Sequence, residues 1–345
     1  MSYTVRSSER TRNSGAEYET KALLYLMNLR SDSNEIHFFV IDFFNDLTGM
    51  DRFAESLWDV QSKGAKNNSP AAVGKELVTL FKNYLSDIDF KEYILFLGGV
   101  SNTVRVDDTL DIFDLSNVKA SALLKLKEGL KKEAEEKTYI NDSDITDSNI
   151  DDFLQKVTFV VDNKSPSEYV KAIIKDHPGI IPEERILRAI FNEIRNAQSE
   201  LKNTVVEGVV IQTTDEVLKY CRHLTNNEVR LLTLNRIINR NPVEKNSIPP
   251  SFSPIYSSWV PEKQREMLDE CVQTLCKALF NKNAASEFWN LFENIYSLIV
   301  TNPNYTVQEI YQSLDMQIRN ASPDFDAVSL KYFISVVKDG IQNDH

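Results

Sequence analysis

Asp46, Gln61 and Lys63, with Glu19 upstream, are the side chains of this sequence best suited to chemistry. Metal-assisted phosphodiester hydrolysis needs oxygen donors to hold a hard cation such as Mg²⁺, and a basic side chain to orient the attacking water or bind the scissile phosphate. In Asp59-Val60-Gln61-Ser62-Lys63, Gln61 and Lys63 are two residues apart and therefore share one face of a strand, with the Ser62 carbonyl as a further oxygen. Asp46 is placed at the end of the preceding strand, at a spacing that a hairpin can close. Asp51 competes for that role, and Asp42 is a weaker third.

The elements that must position these groups emerge from periodicity. Residues 1–14 are polar, carry Arg6, Arg10 and Arg12, and read as a flexible basic arm. From Ala16 to about Arg30 the residues Ala22, Leu23, Leu26 and Met27 recur at helical spacing, with Glu19 on the same stripe. EIHFFVIDFF and ESLWDVQSKG read as two neighbouring strands, joined by the turn-like NDLTGMD with Gly49. AVGKELVTLFKNYL has a helical stripe, and EYILFLGGVS is a continuous apolar run of the kind a buried parallel strand shows. The order helix, strand, strand, helix, strand predicts an α/β N-terminal domain over residues 15–115, with a mixed central sheet flanked by helices.

Asp46 followed by Gln61-x-Lys63 resembles the PD-(D/E)xK nuclease motif in its D…QxK variant, and Gly15-x-x-Tyr18-Glu19 is similar to the GxxFE helix start of Mrr-type members. DDFLQKVTFVVD and the helices after it are similar to the segment beyond the nuclease core in the double-stranded-DNA endonuclease domain of bacterial antiphage effectors. The likeness is specific over 15–63 and looser over 12–220. It implies a restriction-endonuclease-like fold and cleavage of duplex DNA in antiphage defence, with Mg²⁺ as cofactor and Mn²⁺ as its substitute. It assigns metal binding to Asp46, Gln61 and Glu19, catalysis to these together with Lys63, and restraint to a signal or partner. Because Gln61 replaces an acid, metal affinity leans on Asp46 and Glu19. The alternative is a catalytically inactive nuclease-like scaffold within a defence complex.

Beyond Asp111 the pattern becomes mainly helical, with a boundary near 115 and a helical interaction or regulatory domain over 116–345. Expected helices are 167–176, 182–202, 213–223, 226–239, 261–281, 284–301, 306–318 and 325–343, with DDFLQKVTFVVD and VVEGVVIQ as strand-like exceptions. Phe288, Trp289, Phe292 and Tyr296 fall at helical spacing and read as core. VGKEL around Gly74 lacks the spacing of a phosphate-binding loop, so an ATPase or sensor would be a separate subunit. Cys221, Cys271 and Cys276 support neither a disulfide framework nor a zinc module and read as buried thiols. A formal net charge of -12 disfavours nonspecific nucleic-acid binding by the chain as a whole. No apolar run approaches the roughly 20 residues that cross a bilayer, and the polar start does not resemble a signal peptide, so no membrane role and a cytoplasmic location are expected. Cutting both strands of a duplex calls for two active sites, hence a homo-oligomer.

Overall fold

The computed structural model describes residues 2–5, 13–174, 177–243 and 248–342. Arg6, Arg10 and Arg12 of the expected basic arm lie outside them. The chain divides into two compact units, one of Met1–Tyr169 with Ile194–Asn226 and one of Val170–Glu193 with Asn227–His345.

The first unit contains β1 (Tyr3–Thr4), α1 (Asn13–Asn28), β2 (Phe38–Ile41), β3 (Leu47–Met50), β4 (Leu57–Lys63), α2 (Pro70–Glu76), α3 (Val78–Tyr84), β5 (Glu92–Leu97), β6 (Ile112–Phe113), α4 (Ala120–Glu135), α5 (Asp147–Leu154) and β7 (Val157–Val161). After α6 (Pro166–Ile173) and α7 (Glu184–Leu201), both of which straddle the division, it is completed by β8 (Val210–Ile211) and β9 (His223–Thr225). Seven strands form a mixed sheet in the order β6-β7-β5-β4-β3-β2-β9. β5 is parallel to both β4 and β7, whereas the other pairings are antiparallel. The central parallel strands read EYILFL and VTFVV because helices leave neither face open to water.

Three expectations change here. NDLTGMD is not a turn: Leu47–Met50 is a strand buried along its whole length, which separates β2 from β4. Its Gly49 and flanking Asp residues imitate a turn, but an added Cβ there would lie 3.1 Å from Leu26 and 3.2 Å from Ile36, so close packing of α1 accounts for the glycine. The first unit also does not end near residue 115, since β7 and the distant β9 belong to its sheet. A three-residue strand such as β9 has too little periodicity to show in sequence. Finally, Tyr3 is buried and β1 pairs with β8, so the start of the expected flexible arm is an ordered strand.

The second unit is helical: besides its parts of α6 and α7 it contains α8 (Asn226–Ile238), α9 (Ser253–Ser257), α10 (Pro261–Phe280), α11 (Ala285–Thr301), α12 (Val307–Ser313), α13 (Met316–Ala321) and α14 (Ala327–Gln342). α14 packs against α10, α11 and α12. Phe288, Trp289 and Phe292 are buried as the helical spacing predicts, and the Phe288 ring stacks on Phe333 at 5.4 Å. Back in the first unit, residues 213–223 give a 3₁₀ segment, Thr214–Tyr220, in place of the expected α-helix. Cys271 is buried, but Cys221 is exposed, against the expectation of a buried thiol. Among the described residues no helix is long and apolar enough to cross a membrane.

Candidate active site

β4 carries two kinds of residue. Trp58 and Val60 point to one side, and Asp59, Gln61 and Lys63 alternate with them on the other, where they meet the turn from α2 into α3. Asn83 donates to Asp59 Oδ2 at 2.6 Å, Thr79 donates to Gln61 Oε1 at 2.7 Å, and Lys63 Nζ lies 3.4 Å from Glu76 Oε2. Strand residues at i, i+2 and i+4 thus face helical residues four and three apart, because the two periodicities place each set on one line. The result is a polar ladder inside the first unit, with Asp59, Gln61 and Asn83 all buried.

Asp46 joins this ladder from the neighbouring strand. It stands at the entrance to β3, not at the end of β2, because Asp42 at a positive φ of 50° turns the chain and its N–H bonds the Asp46 carbonyl at 3.1 Å. One carboxylate oxygen, Oδ2, accepts from Gln61 Nε2 at 3.0 Å, from the Ser62 N–H at 2.9 Å and from Ser62 Oγ at 3.0 Å. Burial pushes the Asp46 carboxyl up, the Glu19 charge adds to that, and Lys63 with the Ser62 donors opposes it, leaving it at about 6. Asp59 is also raised by burial, against the pull of Asn83 and Lys82 and with the Asp46 charge adding. The competing acids are employed elsewhere. Asp51 Oδ1 accepts from the N–H groups of Glu55 and Ser56 at 2.7 and 3.1 Å, in the β3–β4 turn, and Asp42 Oδ2 accepts from Arg222 at 2.9 Å.

Glu19 is buried on α1, as its place on the apolar stripe predicts, and its Oε2 lies 2.6 Å from Lys202 Nζ. The preceding Tyr18 packs against the strand ends. A Cβ on Gly64 would fall 2.7 Å from its ring, and one on Gly98 would fall 2.7 Å from the Gly64 carbonyl. These glycines let α1 approach the carboxyl ends of the parallel strands β4 and β5. Lys21, two residues beyond Glu19, binds Asp162 at 2.7 Å just past β7, and Tyr169 donates to the other oxygen of Asp162 at 2.8 Å. Burial would lower the Lys21 ammonium, but Asp162 outweighs it and holds it above the ordinary lysine range.

The geometry therefore brings Asp46, Gln61 and Lys63 together, and the Glu19 carboxylate is close enough for its charge to act on Asp46. Sequence reasoning did not find Ser62 as a donor, nor Glu76, Thr79, Asn83 and Lys202. Thr79 and Asn83 carry a weak signal, being four apart on the helix after the motif, whereas Lys202 carries none, since its contact spans 183 residues.

Among the described residues no cluster of three or more His, Cys, Asp or Glu could hold a metal ion. The set here has two carboxylates and one amide, all hard oxygen donors of the kind that suit Mg²⁺ or Mn²⁺. Gln61 turns its nitrogen to Asp46 and its oxygen to Thr79. An amide turned end for end fills the same space, and the Thr79 hydroxyl can accept as well as donate, so the residues fit such an ion after that turn. Compared with models of protein families, with curated proteins and with solved structures, the chain matches none.

Proposed function

We propose that the first unit is a metal-dependent endonuclease that cleaves double-stranded DNA. The observation that carries this reading is the junction of β3 and β4. There a half-buried aspartate is bonded by the glutamine and serine of Gln61-Ser62-Lys63, with Glu19 acting on it from α1. Asp46 and Glu19 would hold Mg²⁺, or Mn²⁺ in its place, with the Gln61 oxygen completing the set. The ion, when bound, supplies Lewis acidity at the phosphate and a more acidic water. Lys63, on the same strand face as Gln61, binds the scissile phosphate and orients the water for in-line attack, and Glu76 at 3.4 Å limits where its ammonium can swing.

The likeness of residues 15–63 to the D…QxK nucleases supports duplex DNA as the substrate and cytoplasmic antiphage defence as the setting. A separate ATPase or sensor subunit would then act as trigger, and two copies of the chain would cut the two strands. The net charge of -12 favours a second reading, an inactive scaffold, because it opposes DNA binding unless basic groups are concentrated locally.

One experiment separates the two. Supercoiled and linear plasmid are incubated with full-length protein at low salt, in Mg²⁺ or in EDTA, beside Lys63→Ala. Cleavage that needs Mg²⁺ and falls about 10²–10³-fold in the variant is the expected outcome, the size of effect seen when a transition-state contact is removed. Cleavage unaffected by the substitution would remove Lys63 from the centre, and absence of both cleavage and metal binding would leave the scaffold.

A further inference from the structure

We infer that Lys202 is a resident counter-ion of the metal site, occupying the Glu19 carboxylate and so setting the affinity for a divalent cation there. This rests on the metal-dependent reading above. Lys202 lies just past α7, and its Nζ stands 2.6 Å from Glu19 Oε2 with the two side chains only 13% and 10% exposed. Charges taken this far out of water depend on each other, and either one left alone would bear its desolvation cost.

The pair is keyed in place by its neighbours. Thr20, adjacent to Glu19, donates to Gln198 Oε1 at 2.9 Å, and Gln198 sits one turn before Lys202 on α7; both are buried. That bond fixes the approach of the two helices and delivers the Lys202 stem to Glu19. Of the other lysines nearby, Lys21 bonds Asp162 and the Lys164 carbonyl, whereas Lys63 pairs with Glu76 while its charge also acts on Asp46. Lys202 thus stands at contact distance from an acid expected to bind metal. A divalent cation shared by Asp46 and Glu19 would take the carboxylate beside an ammonium already on Oε2, and positive charges that close repel in a site this dry, so the cation binds more weakly while Lys202 keeps its place.

The test is calorimetric titration of full-length protein with MnCl₂, comparing wild type, Lys202→Ala, Lys202→Gln, Lys202→Arg and Asp46→Asn. With the competing charge gone, Lys202→Ala should bind Mn²⁺ about five- to tenfold more tightly and show a larger Mn²⁺-induced rise in Tm than wild type. Lys202→Gln keeps a donor to Glu19 without the charge, so it serves if the alanine variant does not fold, and it should behave in the same way. Lys202→Arg should stay near wild type. If Mn²⁺ binds wild type and both uncharged variants alike, or binds the variants more weakly, while Asp46→Asn abolishes binding, the counter-ion role is overturned and the metal site stands. If no variant and no wild-type protein binds Mn²⁺, both readings fall.

Discussion

The two units differ in where their buried polar groups find partners. In the first, Glu19, Lys21, Asp59 and Gln61 are buried and bond to side chains on other elements, across sequence separations of up to 183 residues. In the second, many of the polar bonds are local and finish helices. Asp326 accepts from Ser329, Asp315 accepts from the Gln317 N–H, and Thr306 with Glu309 forms a capping box. Longer-range contacts occur there too, as where Asp339 accepts from the Ser251 N–H at 3.1 Å and His177 meets Glu293 at 3.0 Å, but its centre is built of rings, with Phe333 stacked on Phe288 at 5.4 Å and on Phe325 at 5.6 Å. Local caps cost little and give little beyond order. Long-range buried charge is expensive and persists where an unusual electrostatic environment has a use.

The largest effect that sharpens this contrast lies in the second unit. Phe333→Ala should remove about 3–5 kcal/mol, the usual range for a fully buried ring whose neighbours cannot collapse into the space. Amide hydrogen exchange should show the loss in α10, α11 and α14. DNA cleavage by the folded fraction should be unchanged if the site is contained in the first unit. A matching loss of cleavage with full protection retained would break the comparison.

The next effect has the opposite sign. Asp46 is held at about 6 in the fold against an ordinary value of 3.8. Below about pH 4 the carboxyl is protonated whether folded or unfolded and adds nothing. Between pH 4 and 6 the unfolded chain gives up the proton first, so folding stability falls as pH rises, and above pH 6 a constant penalty remains. Asp46→Asn removes the ionisation while keeping an acceptor for Ser62. In EDTA it should be more stable than wild type by about 1–2 kcal/mol at pH 7.5, with partial solvent access allowed for, and equal to it near pH 4. Cleavage should be lost at the same time. Denaturant melts at the two pH values check it, and an unaltered pH dependence would mean that Asp46 is not the strained acid.

The legibility of the sequence divides along the same line. α10, α11 and α14 fall within a few residues of their expected bounds because a long apolar stripe repeats many times. β5 and β7 were readable as apolar runs. β3 was not, since its Gly49 answers to the packing of α1, and neither was β9, which has three residues and a partner far away in sequence. At the candidate site the nearness of Asp46, Gln61 and Lys63 was legible because they lie within one hairpin, and the burial of Glu19 because its stripe aims it inward. Thr79 and Asn83 needed the helix register as well as the strand register. Lys202 needed the tertiary fold itself.

A matched pair of hydroxyl deletions gives the smallest effect and tests the distinction most closely. Thr79→Val removes the donor to Gln61 Oε1, and Thr306→Ala removes the cap on the Glu309 N–H. Each should cost about 1 kcal/mol of stability, since one hydrogen bond or one N-cap is worth that much. Their functional consequences should differ. Without Thr79 the turned Gln61 amide, with its oxygen toward the ion, loses the hydroxyl that would receive its nitrogen, so that orientation is held less well and cleavage should slow about tenfold. Without Thr306 the first turn of α12 frays, and cleavage should remain at the wild-type rate. Equal cleavage by the two variants would mean that the ladder between β4 and α3 is only a way of burying polar side chains, no different in kind from the caps of the helical unit.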